Sequence, residues 1–428
     1  MKRILLVLAT LTLAAAACGL PAQATLPPDS AIATASPTIP PPLPTATTPI
    51  QPTPTTVQPT ATASPEPTAT EPALPQAVGP ETFPEGINPL TGLPVENPDN
   101  LLLPPALVSI TNFPISARPQ AGLSFSPWVF ELYITEGMTR LLALFYGDFP
   151  ATSLPGNGTV EEPSSVGPIR SGRISYESLR KQYSGFLVMA SASQGVVENL
   201  SDYANIFGSD SDSINSAMIP VERLAEIAAA NQDRLGESAL SGLRFDTEIP
   251  EGGLSGRKLW LPYSFMNQIL WVHNPDAGGY HRWQDEADGE TFTMATDRLT
   301  GEPLVFENVV ILFVNHRVIK PTIIDLDLSF MDHQPALLLR DGKLYEVFWS
   351  TRNEAYELNT GRMRPIRFYD ADGNPFPLKP GQTWVEMVPL YTPYYEIPDS
   401  EDYYQRTHLE EPGSGVWAVR FRPPAGAK

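Results

Sequence analysis

The chain of 428 residues contains one cysteine, Cys18. A single thiol excludes an internal disulfide framework and a cysteine-built zinc site. Positive charge is scarce as well: 28 Lys and Arg stand against 48 Asp and Glu, a net charge of -20, and no Lys or Arg occurs between Arg3 and Arg118. That balance argues against nucleic acid as a partner and against adhesion to an anionic surface by charge alone. Lysine is the rarer cation, so the positive charge is mostly arginine, the residue suited to bidentate capture of carboxylate or phosphate. The N-terminal apolar run, Ile4 to Ala17, is shorter than the roughly 20 residues that span a bilayer. The five histidines, His273, His281, His316, His333 and His408, lack metal-ligand spacing, and no Gly-x-Ser-x-Gly or Gly-Lys-Ser/Thr motif is present. No cofactor and no metal is expected.

What is present begins with a leader. Lys2 and Arg3 precede the apolar run and the alanines 14 to 17, directly before Cys18. This reads as a signal peptide, residues 1–17, cut before a cysteine that carries lipid. It is similar to the lipobox of bacterial lipoproteins, with Ala15 where leucine is usual. Two or three acyl chains anchor a protein stably where one binds only marginally. The competing reading is cleavage after Ala17 or Ala24 without lipid. Residues 18–82 are mostly Pro, Thr, Ala and Ser, which cannot bury enough apolar surface to offset chain entropy. They are expected to form a lipid-anchored, disordered stalk reaching on the order of 100 Å from the bacterial membrane. An extracytoplasmic location follows, with the membrane as a partner through lipid on Cys18.

The remainder is long enough for two domains. The Gly-rich stretch from Glu251 to Lys258 is the expected boundary, giving an N-terminal mixed α/β domain, 83–250, and a mainly β C-terminal domain, 258–428, an α+β chain as a whole. Strand-length apolar runs occur at Ala106 to Ile110, Val129 to Ile134, Leu141 to Tyr146 and Phe186 to Ala190. Helices are expected over Ser171 to Tyr183, with Ser171 as N-cap, and over Val221 to Ala230 after Pro220. In the second half Val309 to Val314 reads as a buried strand, and Asp341-Gly342 as the type I′ turn of a hairpin.

The most specific constellation is Arg118, Gln120, Glu131, Glu136, Arg140, Arg170, Ser171 and Arg173. Arginines beside a helix start would offer charge-assisted hydrogen bonds to an anion. The same arginines would serve equally as structural partners of Glu131 and Glu136. As a hydrolytic acid and base, Glu131 and Glu136 are five residues apart, which places them on opposite faces of one strand.

The blocks Asn88-Pro89-Leu90-Thr91-Gly92-Leu93, ARPQAGL from 117, ELYITEGMTRLLALF from 131, VGPIRSGR from 166, FENVVILFV from 306 and RFYDADGNPFPLKPGQTWVEMVP from 367 resemble the YerB-like lipoprotein family, over about 85 to 390. The resemblance implies a two-domain extracytoplasmic lipoprotein and no established activity. Relatives often carry a histidine after the strand at Gly185-Phe186, where this chain reads Ala190-Ser191-Ala192-Ser193. The expected function is binding of an anionic or glycan-type envelope or extracellular ligand through the arginine-rich site. The partners weighed are a cell-wall glycan, an anionic small molecule or an exported protein. The alternatives are a cell-envelope hydrolase using Glu131 or Glu136 and a structural partner of another exported protein.

Overall fold

Apolar residues alternating along Ala106–Thr111 (β1), Trp128–Thr135 (β2) and Met138–Phe145 (β3) bury both faces of each strand, so these strands form the middle of a sheet. The computed structural model describes residues 76–150, 164–399, 409 and 412–428. The signal peptide, Cys18 and nearly all of the stalk lie outside the described residues. After β3 come the helix α1 at Tyr176–Gln182, β4 at Phe186–Met189 and the helix α2 at Val221–Leu235. The second half contributes β5 (Lys258–Ser264), β6 (Asn267–Asn274), β7 (Gly279–Asp285), β8 (Asn308–Val314), β9 (Gln334–Arg340), β10 (Lys343–Ser350), β11 (Thr383–Pro389) and β12 (Val416–Val419).

The large sheet runs β10-β9-β8-β11-β2-β3-β1-β4, with Leu254–Ser255 and Tyr203–Asn205 as its outer strands. Its centre is the parallel pairing of β11 with β2, from Thr383 opposite Trp128 to Met387 opposite Leu132. The two halves therefore share one sheet, and the described residues form one compact unit. The stretch read as a linker itself pairs with β10. The α/β reading of the first half holds in part: it carries α1 and α2 among its strands, but the described residues as a whole are mostly β, and the strands of the two halves join in one sheet. The start at 83 is also late. Ala77–Val78 already pairs with Arg244–Asp246, and Phe83 packs edge-on against Phe245.

A second sheet, β7-β6-β5-β12, packs on one face of the first. Val129 and Tyr133 of β2, Trp384 and Val388 of β11, and Leu259, Leu261 and Trp271 of the second sheet meet in this inner layer. The opposite face carries α1 through Tyr176 and Leu179, and Tyr183 directly after it. Strand alternation thus assigns each side chain of β2, β3 and β11 to one of two separate layers. The hairpin between β9 and β10 turns at Asp341 and Gly342 with φ 52 and 72, the left-handed values that Asp-Gly accommodates.

Candidate functional site

Glu131 faces the inner layer and is completely buried. Its carboxylate accepts from Thr139 Oγ1 at 2.6 Å, Asn112 Nδ2 at 3.1 Å and Arg282 Nη2 at 2.8 Å. Opposite it in the parallel register stands Glu386, also fully buried. Tyr263 Oη donates to Glu386 at 2.9 Å and Trp271 Nε1 at 3.0 Å. Burial, then the neighbouring Glu131, push the Glu386 carboxyl up to about 8. Arg282 lies 4.7 Å over the Trp384 ring, which with Trp271 closes the cluster from solvent.

Arg118 and Gln120 serve this cluster from its edge. Gln120 Nε2 donates to the Thr111 carbonyl at 3.0 Å and to Asn112 Oδ1 at 3.3 Å, and so orients the amide that donates to Glu131. Arg118 donates to the Asn112 carbonyl at 3.2 Å and the Asp285 carbonyl at 2.8 Å. Burial, and then Arg282, lower the Arg118 guanidinium to about 10. The whole ARPQAGL block is a joint between the halves. Asp297 accepts from the Gly122 and Ser124 amides, and Arg298 donates to the Pro119 and Ala117 carbonyls. A cleft of about 180 Å³ runs along Arg118, Gln120 and Gln284, but Glu286 also lines it, so its charge is mixed.

Glu136 stands apart from all of this. It lies in the β2–β3 turn and pairs on the surface with Lys428 at 2.7 Å. Glu131 has no access to solvent and Glu136 has no second carboxylate in its pocket, so neither arrangement supplies an acid and base flanking a substrate.

The remaining arginines assemble on the other face of the sheet. Arg140 follows Thr139 on β3, so its side chain leaves the Glu131 layer and lies toward α1. Over it passes the segment Val166 to Arg173, pinned at the carboxyl ends of β1 and β4. Arg170 N donates to the Ser109 carbonyl, Ala190 N to the Arg170 carbonyl and Gly172 N to the Ser191 carbonyl, each at 2.9 Å. Gly172 permits this close crossing, since a Cβ there would sit 2.3 Å from Met189 Sδ. The Ser171 carbonyl gathers Arg140 Nη1 at 3.3 Å, Arg173 Nη1 at 3.2 Å and Ser109 Oγ at 3.2 Å. Ser171 is therefore a carbonyl hub and not a helix cap. The helix starts later, at Tyr176 after Ser175, and with seven residues it offers the cluster no N-terminal site.

Among the described residues, Arg140, Arg170 and Arg173 make no ion pair with a carboxylate. Arg140 is 6% exposed, and its Nε, like the buried hydroxyl of its cross-strand neighbour Thr111, has no hydrogen-bond partner. Burial, followed by the charge of Arg173 and more weakly of Arg170, lowers the Arg140 guanidinium to about 9, with only Tyr176 acting the other way.

The sequence-based set thus divides. Arg118, Gln120 and Glu131 belong to the inner layer, Glu136 to the surface, and Arg140, Arg170, Ser171 and Arg173 to the outer face. Arg282, Glu386 and Thr111 were not singled out from sequence. The legible signal for Glu386 is a lone carboxylate inside an apolar strand, Trp384-Val385-Glu386-Met387-Val388, the pattern that Glu131 also shows.

Comparison with known proteins gives the same assignment twice. The protein of unknown function DUF3048 family matches through its N-terminal domain over residues 90–229 and through its C-terminal domain over 260–385. The protein named "Putative lipoprotein YerB" of Bacillus subtilis (strain 168) is 27% identical over 318 residues, 70% of this chain and 86% of that protein. The crystal structure of YerB from the same organism superposes with a TM-score of 0.53 at 25% identity, over 71% of this chain and 96% of the solved one. This chain belongs to the YerB-like family. Among the described residues, no helix is long and apolar enough to cross a membrane.

Proposed function

We propose that this chain is an extracytoplasmic, lipid-anchored protein that binds an anionic ligand through Arg140, Arg170 and Arg173. The anchor rests on the Cys18 leader and on the lipoprotein name of its relative. The observation that carries the binding reading is the uncompensated cluster: Arg140 and Arg173 share one carbonyl, Arg170 adds a third like charge, none has a carboxylate partner among the described residues, and a buried Nε is left unpaired. Burying such charge without a partner is costly, and natural folds retain it where a ligand completes it. The position adds support, because the cluster lies where the parallel strands β1 and β4 end, the usual place for a ligand beside a parallel sheet.

A ligand that binds only the folded state raises stability by about 2.7 kcal/mol at a hundredfold excess over its Kd. Thermal unfolding of the soluble chain is therefore expected at higher temperature in millimolar sulfate, phosphate or succinate than in chloride of equal ionic strength. The increment should vanish in Arg170→Ala and Arg173→Ala. Equal increments in parent and variants, or none with any of the three anions, would remove the basis for the reading.

A further inference from the structure

Resting on the anion-binding reading of this cluster, we infer that its ligand is a phosphate group, as a phosphate ester, and not a simple carboxylate. The first argument is charge. A carboxylate brings one negative charge to three guanidiniums, whereas a phosphate monoester brings nearly two. Arg140 cannot turn elsewhere for compensation: its contacts are the Ser171 carbonyl, Tyr176 and the like charges of Arg173 and Arg170.

The second argument is direction. The donors come from three separate elements, two strands and the crossing segment, and not from one residue or one edge. Arg140 Nε and Thr111 Oγ1 come from strands β3 and β1 in the floor, both buried and both unpaired. Arg173 comes from the crossing segment, with Nη1 already committed to the Ser171 and Gly172 carbonyls, at 3.2 and 2.9 Å, leaving its other guanidinium hydrogens. Arg170 is exposed and makes no side-chain hydrogen bond among the described residues, so it stands at the rim. Donors drawn from two strands and the segment that crosses them suit a group with more than two acceptor oxygens, with the ester oxygen on the exposed side of Arg170. Ser109 Oγ is taken up by the Ser171 carbonyl at 3.2 Å and by the Tyr176 hydroxyl of α1 at 3.3 Å, which leaves Thr111 Oγ1 as the hydroxyl without a partner.

A phosphate ester has two sources here, a soluble molecule or polymer and a lipid headgroup. The chain's net charge of -20 disfavours approach to an anionic bilayer, so the soluble source is expected. Calorimetric titration of the soluble chain with glycerol phosphate, inorganic phosphate and succinate, and flotation with vesicles of phosphatidylglycerol or phosphatidylcholine, separates the cases. We expect glycerol phosphate to bind at least tenfold more tightly than succinate. Arg170→Ala should weaken it about tenfold or more, the loss expected of a charged hydrogen bond. Thr111→Val, which keeps the shape of the side chain, should also weaken it without changing the unfolding temperature. Binding only to phosphatidylglycerol vesicles, abolished by Arg170→Ala, would retain the phosphate group and assign it to the headgroup. Succinate binding as tightly as phosphate, through the same arginines, would overturn the phosphate inference and leave the anion site standing. Binding of neither anion and neither vesicle would overturn both.

Discussion

Arg282→Ala is expected to destabilise the folded chain by about 3 to 5 kcal/mol, the cost of stranding a buried carboxylate. Arg282 is the sole guanidinium hydrogen-bonded to the Glu131–Glu386 pair among the described residues, and it is 2% exposed. Its loss would leave two carboxyl groups facing each other across the junction of β2 and β11, with no guanidinium hydrogen-bonded to either among the described residues. The defect would sit at the seam between the halves of the chain, so unfolding of the whole sheet should become easier. Glu131→Gln in the same molecule should recover part of the loss, because it removes the stranded charge and retains hydrogen-bonding capacity. Denaturant unfolding of the parent, the single variants and the double variant measures this directly. An Arg282→Ala protein as stable as the parent would show that the cluster contributes nothing.

Stability should also fall as pH rises from about 6.5 to 8. Glu386 has its folded value raised to about 8, above the ordinary range of the unfolded chain. The native state then binds one proton more than the unfolded state over that interval, and stability decreases with pH, by up to about 1.4 kcal/mol per unit. Above pH 8 the effect levels off. The window starts near 6.5 because of the histidines. His316 is lowered to about 4 by burial, and His273 and His281 are lowered too, so below 6.5 they contribute a slope of the opposite sign. Glu177 and Glu357, each held near 2 despite burial by Arg180 and Arg364 respectively, lose their contribution only as pH falls below the carboxylate range. The groups facing Glu386 are Glu131, Arg282, Tyr263 and Trp271. Glu386→Gln should flatten the decline between 6.5 and 8, a loss of about 2 kcal/mol in the parent. If the slope in Glu386→Gln equals that of the parent, Glu386 is not the proton carrier.

Much of the local structure was legible. The apolar run Val309 to Val314 lies inside β8, Asp341-Gly342 forms the turn between β9 and β10, and the helix begun after Pro220 extends to Leu235. These depend on neighbours a few residues away. The shared sheet did not show, because the pairing of β2 with β11 joins residues about 250 positions apart and leaves no local pattern. The site divided for a related reason. Sequence proximity grouped Glu131 with Arg140, whereas odd spacing across a strand pair sends the two to opposite faces. Arg282 and Glu386 entered the Glu131 cluster from distant strands, and nothing near them in sequence marks that meeting. The helix start at Ser171 failed because Gly172 and the crossing segment are held by sheet backbone before any helical bond forms.

Arg140, Arg170 and Arg173 as uncompensated charge completed by a ligand have a simple consequence for the stability of Arg170→Ala in low-salt chloride. Arg170 is exposed, so its removal creates no cavity. It lies among the like charges that depress Arg140. Unfolding is expected at a temperature equal to or above that of the parent, since removal of Arg170 relieves repulsion and breaks no ion pair among the described residues. A loss of about 1 kcal/mol or more would contradict it, for it would mean that Arg170 holds a carboxylate and belongs to the scaffold.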